Sequence, residues 1–207
     1  MFEIFWTPLQ TVVVEQCQMM CWASSINFLS MPFNLVLHQI ILLQLFPVKM
    51  LEELKSQDVK LNNVVVTTGV LKDDDLGVNP EKRLEDMSES ALASYFAVNS
   101  IIPALWLKHL VNIMDKSHAT VVCLSARVGS ISDNGFGGWY GYRASKAALN
   151  MLVKTASIEY KRRVKNAMLV CYHPGTVDTE LSKPFQKNVA EKKLFTPAFT
   201  ADQLFTH

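Results

Sequence analysis

Apolar residues fall in short unbroken runs separated by longer stretches of mixed character. Asn63–Thr67 is a β-branched run closed by Gly69. Thr120–Leu124 is a second run, and Ala167–Tyr172 a third that Pro174 ends. Runs that are continuous rather than alternating predict strands buried on both faces. The stretches between them carry helix signals. Ser88 suits the N-cap of a helix over Glu89–Met114. A second helix is predicted from Gly141 to about Arg163, where Lys161, Arg162 and Arg163 suit the negative end of the helix dipole. Lys72–Asp86, polar with Gly77 and Pro80, and Ser125–Tyr140, rich in Gly and Ser, read as loops. Residues past Val177 read as loop and short helix. Strands alternating with helices predict an α/β fold with a parallel sheet covered on both faces.

The text changes before Lys49. No Lys or Arg precedes it, and no Gly precedes Gly69. A secretory signal needs a positive start and a mitochondrial presequence needs arginines, so neither is expected. Phe33–Val48 is strongly apolar, but Asn34, His38, Gln39 and Gln44 interrupt it and Pro47 ends it. It falls short of the ~20 apolar residues of a membrane span and predicts a buried helix or strand, with a membrane-associated segment as the alternative. Val48–Leu54 reads as the end of a helix.

Composition narrows the classes. The 207 residues suffice for one domain with a sizeable core, and residues 1–207 read as one. Twenty Lys and Arg against nineteen Asp and Glu leave no basic excess for nucleic acid. Cys17, Cys21, Cys123 and Cys171 have no zinc spacing with the histidines, and Cys123 and Cys171 fall in strand-like runs and predict core thiols. Nothing requires an oxidising compartment, and a cytoplasmic location is expected. Asp73–Asp75 reads as a solvated turn rather than a metal site, because no further carboxylates stand at calcium-loop spacing. His109 and His118 read as surface residues, and His173 as packing.

Candidate chemistry centres on Gly141-Tyr142-Arg143-Ala144-Ser145-Lys146-Ala147-Ala148. A spacing of four puts Tyr142 and Lys146 on one helix face, a turn apart. A phenol titrates near ~10. An ammonium beside it favours the phenolate and predicts a lowered pKa, hence a general acid/base for a carbonyl or alcohol oxygen. Small neighbours allow close approach of a flat ligand. Asn99 stands four before Pro103, which has no N–H, so the Asn99 carbonyl is predicted to lose its helical donor and become free to hold a water.

These motifs, in this order, resemble the short-chain dehydrogenase/reductase superfamily. Tyr142 and Lys146 match its Tyr-x-x-x-Lys within a "Y-x-A-S-K-A-A" context. Leu61–Gly69 (LNNVVVTTG) is similar to its strand ending in Asn-Asn-Ala-Gly, and Ala97–Ser100 to its helix with a catalytic Asn. Val121–Ile131 is similar to its strand and turn presenting a catalytic Ser, and His173–Thr179 to its Pro-Gly loop. The stretch from Gly129 to Asn150 is nearest to sniffer-like or C-factor-like carbonyl reductases. The resemblance covers about residues 49–200 and leaves 1–48 as a divergent apolar segment.

It implies a Rossmann-like doubly wound parallel sheet, incomplete at both ends. It implies NADP or NAD, with NADP favoured, a small carbonyl or alcohol substrate, and a homo-oligomer formed through the two long helices. Tyr142 would exchange the proton, Lys146 would lower its pKa and bind the ribose, and Asn99 would hold a relay water. Gly69, Tyr142, Lys146, Pro174, Gly175, Val177 and Thr179 would contact the cofactor. Three departures stand out. The family's second serine falls on Ala126, which leaves Ser125 as the catalytic candidate, with Ser130 and Ser132 as alternatives. Thr67 and Thr68 stand in the Asn-Asn-Ala-Gly segment. The glycine-rich phosphate turn expected near the start has no glycine. Two readings follow: an NAD(P)-dependent oxidoreductase with a Tyr/Lys acid–base pair, or a degenerate reductase that binds no cofactor and acts only by dimerising.

Overall fold

The structure is a computed structural model, and it describes residues 2–6, 11–16 and 51–206. The segment Phe33–Val48 and the expected phosphate turn lie outside the described residues. Five strands form one sheet in the spatial order β1 (Phe2–Trp6), β2 (Thr11–Gln16), β3 (Asn63–Val66), β4 (Ala119–Leu124) and β5 (Ala167–Tyr172). Strands β2 to β5 run parallel; β3, β4 and β5 are the unbroken apolar runs of the sequence, and β2 adds a strand they did not predict. Strand β1 departs from that pattern and pairs antiparallel with β2, Phe2 opposite Gln16 and Trp6 opposite Val12.

Parallel neighbours need long crossovers, and helices supply them. Residues 51–56 form helix α1. Helix α2 (Glu89–Phe96) is capped by Ser88, whose Oγ accepts from the Ala91 N–H at 3.2 Å. A π turn over Ala97–Ile101 joins it to α3 (Ile102–Leu110). The predicted helix to Met114 ends at Leu110, because the following residues turn and Met114 bridges to Leu61 beside the sheet. Helix α4 (Tyr140–Arg163) runs 24 residues. Helix α5 (Pro197–Thr206) follows two short strands that pair with each other, β6 (Thr176–Val177) and β7 (Leu194–Phe195).

Leu51, Leu54, Ile102, Trp106, Leu107, Leu110, Leu149 and Val153 enclose Val64, Val66, Val121 and Cys123 in the main core. Burial of such side chains contributes ~1.5–3 kcal/mol each. The α2–α3 helix is long and apolar enough to cross a membrane by composition, but most of it is buried against the protein. Cys171 corrects a sequence expectation. It is exposed rather than core, because among the described residues β5 has β4 as its only sheet neighbour.

Candidate active site

The carboxyl ends of β3, β4 and β5 lie side by side, and the candidate residues sit just beyond them. Gly69 follows β3, Ser125 follows β4, and Pro174 and Gly175 follow β5. The Ser125 N–H donates to the Tyr172 carbonyl at 2.8 Å, which ties the last two ends together. In open parallel sheets the crevice outside these ends is where ligands bind.

Helix α4 delivers Tyr142 and Lys146 to that crevice. Both are buried, at 8% and 3% exposure. Lys146 Nζ donates to the Leu124 carbonyl at 2.9 Å and stands 5.9 Å from the centre of the Tyr142 ring. Gly69 gives the ammonium its room, since a Cβ there would lie 3.3 Å from Nζ and 3.5 Å from Asn99 Oδ1. Among the described residues no carboxylate pairs with Lys146. Burial therefore pulls its pKa down to about 8.

The expected lowering of Tyr142 is not what this geometry gives. Burial pushes its phenol up to about 12. The ammonium faces the Leu124 carbonyl, so desolvation of the phenolate dominates. At neutral pH the site thus holds a protonated phenol beside a mostly protonated amine.

Asn99 locks the helix to the strand end. Its Oδ1 accepts from the Val70 N–H at 2.7 Å, and its Nδ2 donates to the Val70 carbonyl and to Ser145 Oγ, each at 3.0 Å. Ser100 Oγ donates to the Ser145 carbonyl at 2.6 Å. The side-chain amide of Asn99 is therefore fully used within the fold. Pro103 supplies no N–H, and the π turn has Ile102 N–H reaching back to the Ala97 carbonyl.

Ser125 points elsewhere: its Oγ donates to Asn150 Oδ1 at 2.6 Å, and Asn150 in turn reaches the Gly129 carbonyl. Ala126 instead packs with the cluster that contains Tyr142. Adjacent residues leaving a strand face opposite ways, which is the physical reason Ser125 does not stand in for a hydroxyl at position 126. Gly175, at φ 77°, rests on the Phe195 ring. Beyond it, the Val177 carbonyl accepts from Ser182 Oγ at 2.5 Å and from Thr179 Oγ1 at 3.4 Å.

Several residues that frame Tyr142 carry no sequence signal. The Tyr95 and Trp139 rings meet it edge-on at 6.3 and 6.1 Å, and Phe185 meets Trp139 at 5.2 Å. Glu81, in a polar stretch that reads as solvated loop, is buried, and both its oxygens face the Gly141 N–H at 3.2 and 3.3 Å. Gly141 is required by packing, since a Cβ there would stand 2.4 Å from the Tyr95 ring and 2.9 Å from Glu81. Gly141→Ala is expected to destabilise by about 1–3 kcal/mol through overpacking. A melting temperature equal to that of the wild type would contradict this contact.

The sequence profile described as short chain dehydrogenase matches residues 48–190. The chain is 33% identical over 102 residues to C-signal of Myxococcus xanthus, covering 49% of this chain and 60% of that one. Carbonyl reductase Sniffer of D. melanogaster superposes with a TM-score of 0.63 at 21% identity, over 81% of this chain and 65% of that one. An NADPH-bound carbonyl reductase from chicken fatty liver superposes at 0.61 with 22% identity, over 77% and 59%. The chain spans less than two thirds of the length of each. The profile match runs from α1 through β3, β4 and β5, takes in Tyr142 and Lys146, and shows that this chain belongs to the short-chain dehydrogenase family.

Proposed function

We propose that this chain is an NAD(P)-dependent oxidoreductase that reduces a carbonyl, or oxidises an alcohol, with Tyr142 and Lys146 as its acid–base pair. The observation that carries the reading is a protonated phenol one turn from a buried ammonium, which has no counter-ion among the described residues, at the carboxyl ends of parallel strands. Two features suit the nicotinamide half of a cofactor. Gly69 leaves Lys146 and Asn99 uncovered by a side chain, and Thr68 Oγ1 is buried without a hydrogen-bond partner among the described residues. Gly69, Tyr142, Lys146, Pro174, Gly175, Val177 and Thr179 would hold that half. NADP is favoured over NAD because the similar chicken carbonyl reductase has NADPH bound. When bound, the cofactor supplies the hydride.

The residues of the chain supply the proton. Tyr142, protonated at neutral pH, donates it to the substrate oxygen. Lys146 stabilises the phenolate left behind, an effect enlarged by the dry surroundings, and then passes it a proton that restores the phenol. The Asn99 main chain, within the π turn, holds the water through which Lys146 is reprotonated. Ser125, held by Asn150, contributes by fixing the end of β4, and Ala126 adds no donor. Loss of one such donor costs ~10²–10³ in rate, so turnover is slow.

Exposed Met151, Leu152 and Ile158 along α4, with Ile101 at the end of the π turn, support a homo-oligomer formed through the two long helices. The substrate is a small carbonyl or alcohol and the location cytoplasmic. No nucleic-acid or membrane partner is part of this reading. A second reading, a non-catalytic dimer, draws on the glycine-free first 68 residues, where a phosphate turn needs close backbone approach.

Calorimetric titration with NADPH separates the two. The enzymatic reading expects a dissociation constant in the low micromolar range and NADPH oxidation with a small ketone. An affinity weaker than ~1 mM, about 4 kcal/mol of binding, would leave only the dimer.

A further inference from the structure

We propose that Glu81 is a positioning residue for Tyr142: through its side chain and its main chain it fixes the turn that starts α4, and thereby aims the phenol. The proposal rests on the acid role of Tyr142 argued above. Glu81 is 3% exposed, and among the described residues it has no salt-bridge partner. A carboxylate buried without a cation is costly unless hydrogen bonds and dipoles hold it. Here the holder is the first turn of a 24-residue helix, where one orphan donor, the Gly141 N–H, and the positive dipole end meet the carboxylate. Both oxygens converge on the N–H of Gly141, the residue before Tyr142.

Its main chain acts on the preceding turn. The Glu81 carbonyl accepts from the Trp139 N–H at 2.5 Å. Trp139 adopts φ 55° and ψ 44°, a left-handed conformation that costs a bulky residue about 1 kcal/mol or more and persists only where surroundings dictate it. The Trp139 ring so placed meets Tyr142 on one side and Phe185 on the other. Tyr95 meets Tyr142 from α2 and is itself fixed by donating to the Leu71 carbonyl at 2.7 Å. The groups that face the phenol are thus Lys146 from α4, Tyr95 from α2 and, through Gly141, Glu81 from the loop between β3 and α2. Each end of the Glu81 contact leads to an atom next to Tyr142 in sequence or in space.

The experiment compares Glu81→Ala and Glu81→Gln in the full chain. It measures steady-state NADPH-dependent ketone reduction, melting temperature, and amide hydrogen exchange at Gly141. A misaimed acid costs on the order of 10²-fold in rate. Glu81→Ala is expected to lower kcat by about that factor with KM within about threefold, and to speed Gly141 exchange at least ~10-fold. Glu81→Gln keeps the side-chain volume and one acceptor oxygen, so it is expected to recover most of the rate. It also keeps the test open if the alanine variant does not fold.

An alanine variant within about threefold of wild-type kcat would overturn the proposal. So would a loss matched only by a fall in folded fraction, equal in both variants, or Gly141 exchange that neither variant changes. If the wild type shows no turnover, the enzymatic reading falls. The Gly141 exchange rates then decide by themselves whether Glu81 fixes this turn.

Discussion

Tyr142→Phe is expected to lower the rate of carbonyl reduction at least ~10³-fold. General acids contribute ~10²–10⁴-fold, and the next residues in line do not substitute, because Ser125 is committed to Asn150 and position 126 is alanine. The variant is also expected to fold at least as well as the wild type. The Tyr142 hydroxyl has no hydrogen-bond partner among the described residues, and its ring contacts with Tyr95 and Trp139 are those of a phenylalanine. Steady-state kinetics with a thermal melt test both halves. Turnover equal to the wild type would remove Tyr142 from the chemistry. A melting temperature lowered by more than a few degrees would mean that the hydroxyl has a partner in the fold.

Lys146→Met carries the second large effect, and here activity and stability move in opposite directions. Turnover is expected to fall ~10²–10³-fold, since a phenolate left in a dry site loses the cation beside it. Stability at pH 7 is expected to rise. Lowering the amine from 10.5 to about 8 penalises the charged form by about 3 kcal/mol. Leaving the Leu124 carbonyl without its donor costs ~1–3 kcal/mol in return. The net gain is about 1 kcal/mol, a melting temperature ~2–4 °C higher for a chain of this size.

The pH dependence follows from the same shift. Between about pH 8 and 10.5 the folded chain binds fewer protons at Lys146 than the unfolded chain. The stability of the wild type relative to Lys146→Met is therefore expected to rise with pH through that window. Tyr142 acts oppositely at higher pH. Its raised pKa keeps the proton on the folded chain, so stability is lost from about pH 10 to 12. For catalysis, kcat for reduction is expected to fall above pH ~8 as the Lys146 ammonium discharges. Urea melts at several pH values and a pH–rate profile measure these limbs. A wild-type kcat flat from pH 7 to 10 would count against the role given to Lys146.

The sequence by itself determined the parallel strands β3, β4 and β5, the Ser88 cap, the extent of α4 and the pairing of Tyr142 with Lys146 on one helix face. These are set by local periodicity and by residues a few positions apart, and period and spacing are legible in one dimension. Tertiary structure decided the rest. The direction of the Tyr142 pKa followed from burial and from the Leu124 carbonyl, 22 residues away in sequence, which draws the ammonium toward itself. The exposure of Cys171 followed from which strands stand beside β5. Glu81 looked like one charge among many in Pro80–Asp86, and only packing 60 residues away on Gly141 gives it a place at the site. Electrostatics and burial sum over everything nearby in space, so they become readable only when the chain has folded back on itself.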